Sequence, residues 1–241
     1  SSTLNQYSGL ANLAGLNMPQ QKTSQAILAM EIITSKDFFQ DFLDDEALIN
    51  LFALKSWNIE TKEKQYDESI YDYKNDEWVR DVRAPFKKKP STIEAYEKFN
   101  NEVLNIYQDD TSGLVHLSIS HISPEIAKKW ADKIVFMINE KLRLRDIEEA
   151  ENSINFLNLE MNKTELNELR FVLSQLIQKE ISKISLANAK KEYVFTIVDP
   201  PHLPEFKSSP NRVLITTLTS IIFLVFGFMY VLIFRFRPSN S

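Results

Sequence analysis

The chain has 241 residues, no cysteine, four glycines and three histidines. Without cysteine there is no disulfide, no thiolate zinc site and no thiol nucleophile, although that absence assigns no compartment. Gly9, Gly15, Gly113 and Gly227 are too scattered to form a phosphate-cradling loop or a dinucleotide fingerprint, which argues against a domain using ATP or NAD. His116 and His121 stand an odd five residues apart on or just after one predicted strand, which puts them on opposite faces. His202 lies in a proline-rich stretch, and no His-x-x-His or Gly-x-Ser-x-Gly pattern occurs. The acidic pairs Asp44-Asp45, Asp109-Asp110 and Glu148-Glu149 are neighbours whose side chains diverge, so they read as solvated faces. No metal, cofactor or catalytic residue is expected.

What the sequence does have is a run of 22 uncharged residues, Val213 to Phe234, closed by Arg212 on one side and Arg235 and Arg237 on the other. In a helix that run measures about 33 Å, against a hydrocarbon core of roughly 30 Å. A membrane helix is expected at 213–234, followed by a tail at 235–241. Of the 28 basic residues only Arg235 and Arg237 lie beyond the run, so residues 1–212 hold 26 basic against 33 acidic side chains, net −7. That balance disfavours nucleic acid, or an anionic lipid surface, as the main partner. The basic tail reads as cytoplasmic and the acidic segment before the run as lying outside the cytoplasm. The chain opens Ser1-Ser2-Thr3, and the expectation is a trimmed start with a second membrane segment before it.

Along the chain, residues 7–17 read as a loop or weak strand. Thr23 or Ser24 opens a helical pattern through Ile27, Met30, Ile33 and Phe38, followed by a second apolar series from Phe39 to Leu54. Residues 58–92 are the most polar, and the Lys87-Lys88-Lys89 cluster between Pro85 and Pro90 reads as a solvated loop. Ser91-Thr92 caps a short helix to Val103. Residues 103–107 and 114–120 then form a hairpin about Asp109–Gly113, with Val115, Leu117 and Ile119 on its buried face. Ser123-Pro124-Glu125 aligns a capping hydroxyl, a proline at the first helical position and a first-turn acid.

From there to Pro200 no proline or glycine intervenes. One helix of that length would reach about 100 Å. Tyr193–Val198 reads as a strand that must lie near the hairpin, so the helix must turn back. The cap-like Asn162-Lys163-Thr164-Glu165 puts the tip of a helical hairpin (about 125–191) near Asn158–Thr164. Pro200, Pro201 and Pro204 stiffen a connector at 199–212. Trp57 and Trp78 with Arg80 suggest either a sugar-stacking patch or, with more weight, core aromatics beside an exposed arginine. Gly227 is a weak helix-approach signal. On the hairpin, Arg143, Arg145, Asp146, Glu148, Glu149 and Glu151 mix both signs, with Arg145 one turn from Glu149. Phe156, Leu157, Leu159, Met161, Leu166, Leu169, Phe171, Val172 and Leu173 form a stripe too broad for one partner helix, and a neighbouring copy in a closed ring is the simplest cover.

The order of these segments resembles a known family. It runs Tyr7-Ser8-Gly9-Leu10-Ala11, Thr34-Ser35-Lys36-Asp37-Phe38-Phe39, Leu51-Phe52…Trp57, Trp78-Val79-Arg80, Lys89-Pro90-Ser91, His121-Ile122-Ser123-Pro124-Glu125, Leu186-Ala187-Asn188, Asp199-Pro200-Pro201 and Pro210-Asn211-Arg212. It is similar over residues 7–235 to the Wzz-type polysaccharide co-polymerases, the chain-length determinants of bacterial surface polysaccharides. The resemblance implies an α+β protein: a periplasmic α/β base (1–198) with a protruding helical hairpin, two inner-membrane helices of which the first would precede residue 1, and cytoplasmic termini. It also implies a ring-shaped homo-oligomer, with the O-antigen polymerase as partner and the growing polysaccharide as a candidate contact, and no catalytic site. The chain departs from relatives that carry a cytoplasmic kinase domain. Two further classes stand beside this one: a membrane-anchored periplasmic adaptor outside glycan polymerisation, and a membrane-tethered glycan hydrolase.

Overall fold

A computed structural model of the chain describes residues 20–203 and 212–235, with side chains at 25–203 and 215–230. The chain divides into two units, 1–202 and 203–241. The expected loop at 7–17, most of the proline connector and the tail lie outside the described residues.

The first unit is mixed α and β. Helix α1 (Gln20–Ile33) begins upstream of Thr23, and Thr34 and Ser35 end it. The Thr34 hydroxyl donates to the Met30 carbonyl (3.2 Å) and the Ser35 hydroxyl to that of Ile32 (2.7 Å), while Ser35 Oγ also accepts the Phe38 N–H and so starts α2 (Lys36–Phe42). Asp44 caps α3 (Asp45–Ala53) through the Ala47 N–H at 2.7 Å. The polar stretch 58–92 takes part in short antiparallel ladders: β1 (Leu54–Trp57) with β2 (Lys64–Tyr66), and β3 (Tyr71–Asp72) with β4 (Glu77–Trp78). Ser91 caps α4 (Thr92–Lys98), which widens into a π turn at Phe99–Val103. The expected hairpin follows as β5 (Leu104–Gln108) and β6 (Val115–Ile119), paired from Leu104–Ile119 to Gln108–Val115.

Ser123 and Pro124 start α5 (Pro124–Lys163), with the hydroxyl accepting the Ile126 N–H. Its 40 residues extend about 60 Å. Three residues, Thr164–Leu166, turn the chain into α6 (Asn167–Ala189). The tip therefore falls at the end of the expected 158–164, and the Asn162–Glu165 cap does not form: Leu166 takes the N-cap position with no side-chain bond.

The core sits where α1, α2, α4 and the hairpin meet the first half of α5. Phe42 touches Phe99 and Trp130 at ring distances of 5.1 and 5.9 Å, and Ile134, Ile138 and Leu142 extend the same buried stripe up α5. Of the expected helical series Ile33 and Phe38 are buried, whereas Ile27 is exposed and Ala29 is buried in its place. A row of lysines on α5 then pins it to the acids of α2 and α3: Lys129 to Glu46 (3.1 Å), Lys133 to Asp44 (2.8 Å), and Lys141 to Asp37 (2.9 Å) and Asp41 (2.7 Å).

Tyr193–Val198 is not a strand. Its backbone bonds to a side chain instead of a sheet edge, because Asn139 is buried on α5 opposite it. Asn139 Oδ1 accepts the N–H groups of Val194 (2.8 Å) and Phe195 (2.9 Å), and its Nδ2 donates to the Phe195 carbonyl (3.1 Å). One amide side chain thus supplies the acceptor and donor that a neighbouring strand would offer.

The second unit contains α7 (Arg212–Arg235), with the Thr219 and Ser220 hydroxyls folded back onto carbonyls one turn earlier. Among the described residues no helix is long and apolar enough to cross a membrane. The side chains described in α7, 215–230, cover about 24 Å. The expectation of a span at 213–234 therefore rests on the sequence.

Candidate assembly surface

The helical hairpin leaves the core halfway along its length. Between Glu151 and Leu186 the only buried side chain is Leu173. Leu157 and Met161 are half-buried against α6, and the Ser174 hydroxyl points at Met161 Sδ (3.7 Å). At about 100° per residue, Phe156 and Leu159 lie roughly 120° and 180° around α5 from that contact line. Phe171 lies about 160° around α6 from Leu173 by the same spacing. These three are 61%, 59% and 64% exposed, and Leu166, Leu169, Val172, Leu176, Ile181 and Leu186 are exposed as well. At about 100 Å² each, these nine side chains present on the order of 900 Å² of apolar surface, close to one side of a standard protein interface of roughly 800 Å².

The charged side chains of the expected cluster lie below that surface. Arg143 forks onto Glu140 (3.0 and 2.7 Å) and reaches Asn188 Oδ1 on α6 (3.0 Å), which holds the Glu140 carboxyl below its ordinary range. Arg145 lies 3.7 Å from Glu149, as the one-turn spacing predicts, and bonds Asp146 at 3.2 Å. Asp146 is buried and accepts the Tyr193 hydroxyl at 2.8 Å. Burial, with that bond, pushes the Tyr193 hydroxyl up to about 12. Together with Asn139 this contact seals residues 193–195 against α5, just before the chain leaves the first unit. Neither Asn139 nor Tyr193 stands out in the sequence. A lone asparagine within an apolar helical stripe is the one signal that could have marked it.

The other candidates are structural. Trp78 packs against Tyr71 and Phe52, as the core reading has it. Arg80 is not exposed, contrary to expectation. It is buried and stacks 5.3 Å over the Phe52 ring, where it forks onto Glu94 (2.5 and 2.7 Å) and donates to the carbonyls of Lys87 and Lys88. Trp57 is half-buried, and among the described residues its indole N–H has no partner. His116 stacks on Tyr107 across the hairpin. His121 packs on Trp130 and bridges the Ser123 N–H and the Asn50 carbonyl, both at 3.2 Å. Burial lowers its pKa. His202 pairs with Asp199 at 3.2 Å. Asp44 caps a helix, Asp109 caps the hairpin turn through the N–H groups of Thr111 and Ser112, and Glu149 faces Arg145 and Lys183. Among the described residues no group of acidic or histidine side chains is placed to hold a metal.

The sequence matches no protein-family model and no curated protein.

Proposed function

We propose that the chain regulates the modal length of a bacterial surface polysaccharide, lipopolysaccharide O-antigen, without catalysing its synthesis. It acts as a ring-shaped homo-oligomer beside the polymerase. Residues 213–234 cross the inner membrane, residues 1–198 stand in the periplasm and the tail is cytoplasmic. One observation carries this reading: a 60 Å helical limb whose outer half displays an interface-sized apolar surface that nothing else among the described residues covers. A second copy of the same limb supplies a matching surface, and repetition around a ring leaves none exposed. The order of sequence motifs shared with the Wzz-type co-polymerases, and the 22-residue apolar run, give the assembly its setting.

The test is the lipopolysaccharide gel ladder from cells with and without this protein. The expected result is loss of a modal band, with unregulated short chains in its place. An unchanged ladder refutes the O-antigen assignment and favours the adaptor reading. In that case the same limb surface takes a different protein.

A further inference from the structure

We propose that the segment Val79–Pro90 is a docking loop for the anionic phospholipid surface of the membrane that anchors the chain. The inference rests on the reading that 213–234 crosses that membrane. Residues 83–89, Arg-Ala-Pro-Phe-Lys-Lys-Lys, are all exposed, and Phe86 stands 55% open to solvent among four cations. The loop is built, not slack. Arg80 beneath it donates to the carbonyls of Lys87 (2.7 and 3.1 Å) and Lys88 (2.6 Å) while its other donors fork onto Glu94, and the Phe86 N–H closes a turn onto the Arg83 carbonyl (3.1 Å). The buried arginine thus spends its hydrogen bonds on fixing the backbone, so that the lysine side chains point outward.

Charge follows the same division. Lys89 pairs with Asp45 (2.9 Å), while among the described residues no ion pair holds Arg83, Lys87 or Lys88. The segment holds a single acid, Asp81. The rest of the unit is strongly acidic, so an anionic surface repels most of it and selects this loop as the face that approaches. The loop is also at the right end. Lys128 donates to the Pro201 carbonyl (3.1 Å), the adjacent Lys129 pairs with Glu46 (3.1 Å), and the adjacent Asp45 pairs with Lys89. The loop and the point where the chain leaves the unit therefore share the end of α5 opposite the hairpin tip, some 60 Å away. From Pro201 to Arg212 the chain is eleven residues, at most about 40 Å if fully extended. Phe86 favours lipid over a polyanion that lacks an apolar surface, such as polyphosphate: an aromatic ring beside lysines enters a headgroup layer.

The chain has no cysteine, so Phe86→Cys supplies a single thiol for a nitroxide label. The full-length protein is reconstituted in phosphatidylcholine vesicles with and without phosphatidylglycerol, and collisions of the label with oxygen and with an aqueous nickel chelate are compared. The expected result is protection from the chelate only when phosphatidylglycerol is present. Adding Lys87→Glu and Lys88→Glu to the labelled protein removes that protection, since each lysine at such a surface is worth about fivefold in binding. Equal chelate access in both vesicles overturns the proposal, as does equal protection in both, or protection by soluble polyphosphate without vesicles. A second label at Phe226→Cys reports the anchoring itself. If that label is aqueous, the membrane reading fails. If it is buried in lipid while the Phe86 label stays aqueous, only the docking loop is wrong.

Discussion

Replacing Asn139 with alanine tests how the chain is held as it leaves the helical hairpin. The side chain is 4% exposed and makes three hydrogen bonds to one short stretch: from Val194 and Phe195 N–H to Oδ1, and from Nδ2 to the Phe195 carbonyl. Truncation removes all three partners at once. A backbone N–H left unpaired costs about 1–3 kcal/mol where water is excluded. Val194 and Phe195 are half-buried, so water replaces part of the loss, and the total comes to about 2–3 kcal/mol. Denaturant unfolding of the first unit measures that total. Native-state hydrogen exchange measures its location: the amides of Val194 and Phe195 should lose protection more than those of the β5–β6 hairpin. Tyr193→Phe removes the neighbouring bond to Asp146 and provides the comparison. A loss under 1 kcal/mol, or exchange at Val194 and Phe195 no faster than before, would mean that the segment is held by its apolar packing and that the amide bonds are incidental.

Three further predictions follow from the same contacts. His121 is half-buried against Trp130, and the lost solvation holds its folded pKa below the ordinary 6.5. In that pH range the unfolded chain binds more protons. Stability is therefore full above about 6.5 and falls as pH drops through the folded value, by at most ~1.4 kcal/mol per unit, a slope that His121→Gln should flatten in urea titrations at pH 5–7. Arg80→Lys cannot fork onto Glu94 while also holding the carbonyls of Lys87 and Lys88, and should cost about 3 kcal/mol by thermal unfolding. Leu159→Glu with Phe171→Glu changes two exposed side chains, so the fold should keep its stability within ~1 kcal/mol. Light scattering of the purified protein in mild detergent should show the assembly falling to smaller species, and an unchanged mass would remove the limb from the interface.

The parts of the fold legible in the sequence are those specified by local chemistry. Ser91 and Ser123-Pro124 start helices, the alternation of Val115, Leu117 and Ile119 sets one face of a strand, and Asp109 and Gly113 turn the hairpin. Each of these signals lies within a few residues of the structure it directs. The misreadings share the opposite cause. Tyr193–Val198 has the composition of a strand, yet a partner 55 residues earlier supplies its hydrogen bonds. Arg80 reads as a surface charge because the carbonyls and the carboxylate that neutralise it lie 7–14 residues away. The Asn162–Glu165 signature has the right residues, but the chain needs only three residues to turn, so the helix runs past the cap.

The same distinction bears on the hairpin. A buried stripe is satisfied within the chain, and Ile134, Ile138 and Leu142 on α5 meet the core as their spacing predicts. Farther out, the stripe widens to include Phe156, Leu159 and Phe171, and the second helix cannot curl around to cover side chains more than 100° from the contact line. An apolar pattern wider than its partner therefore describes contacts outside the chain. Arg143, Glu140, Arg145 and Asp146 are paired within the limb below that surface, and farther out the ion pairs are Lys163–Glu160 near the tip and Lys183–Glu149 between the two helices. Charged side chains run on to the tip, Glu165, Glu168 and Arg170 included, so the exposed apolar side chains stand within a polar rim as the core of an interface does.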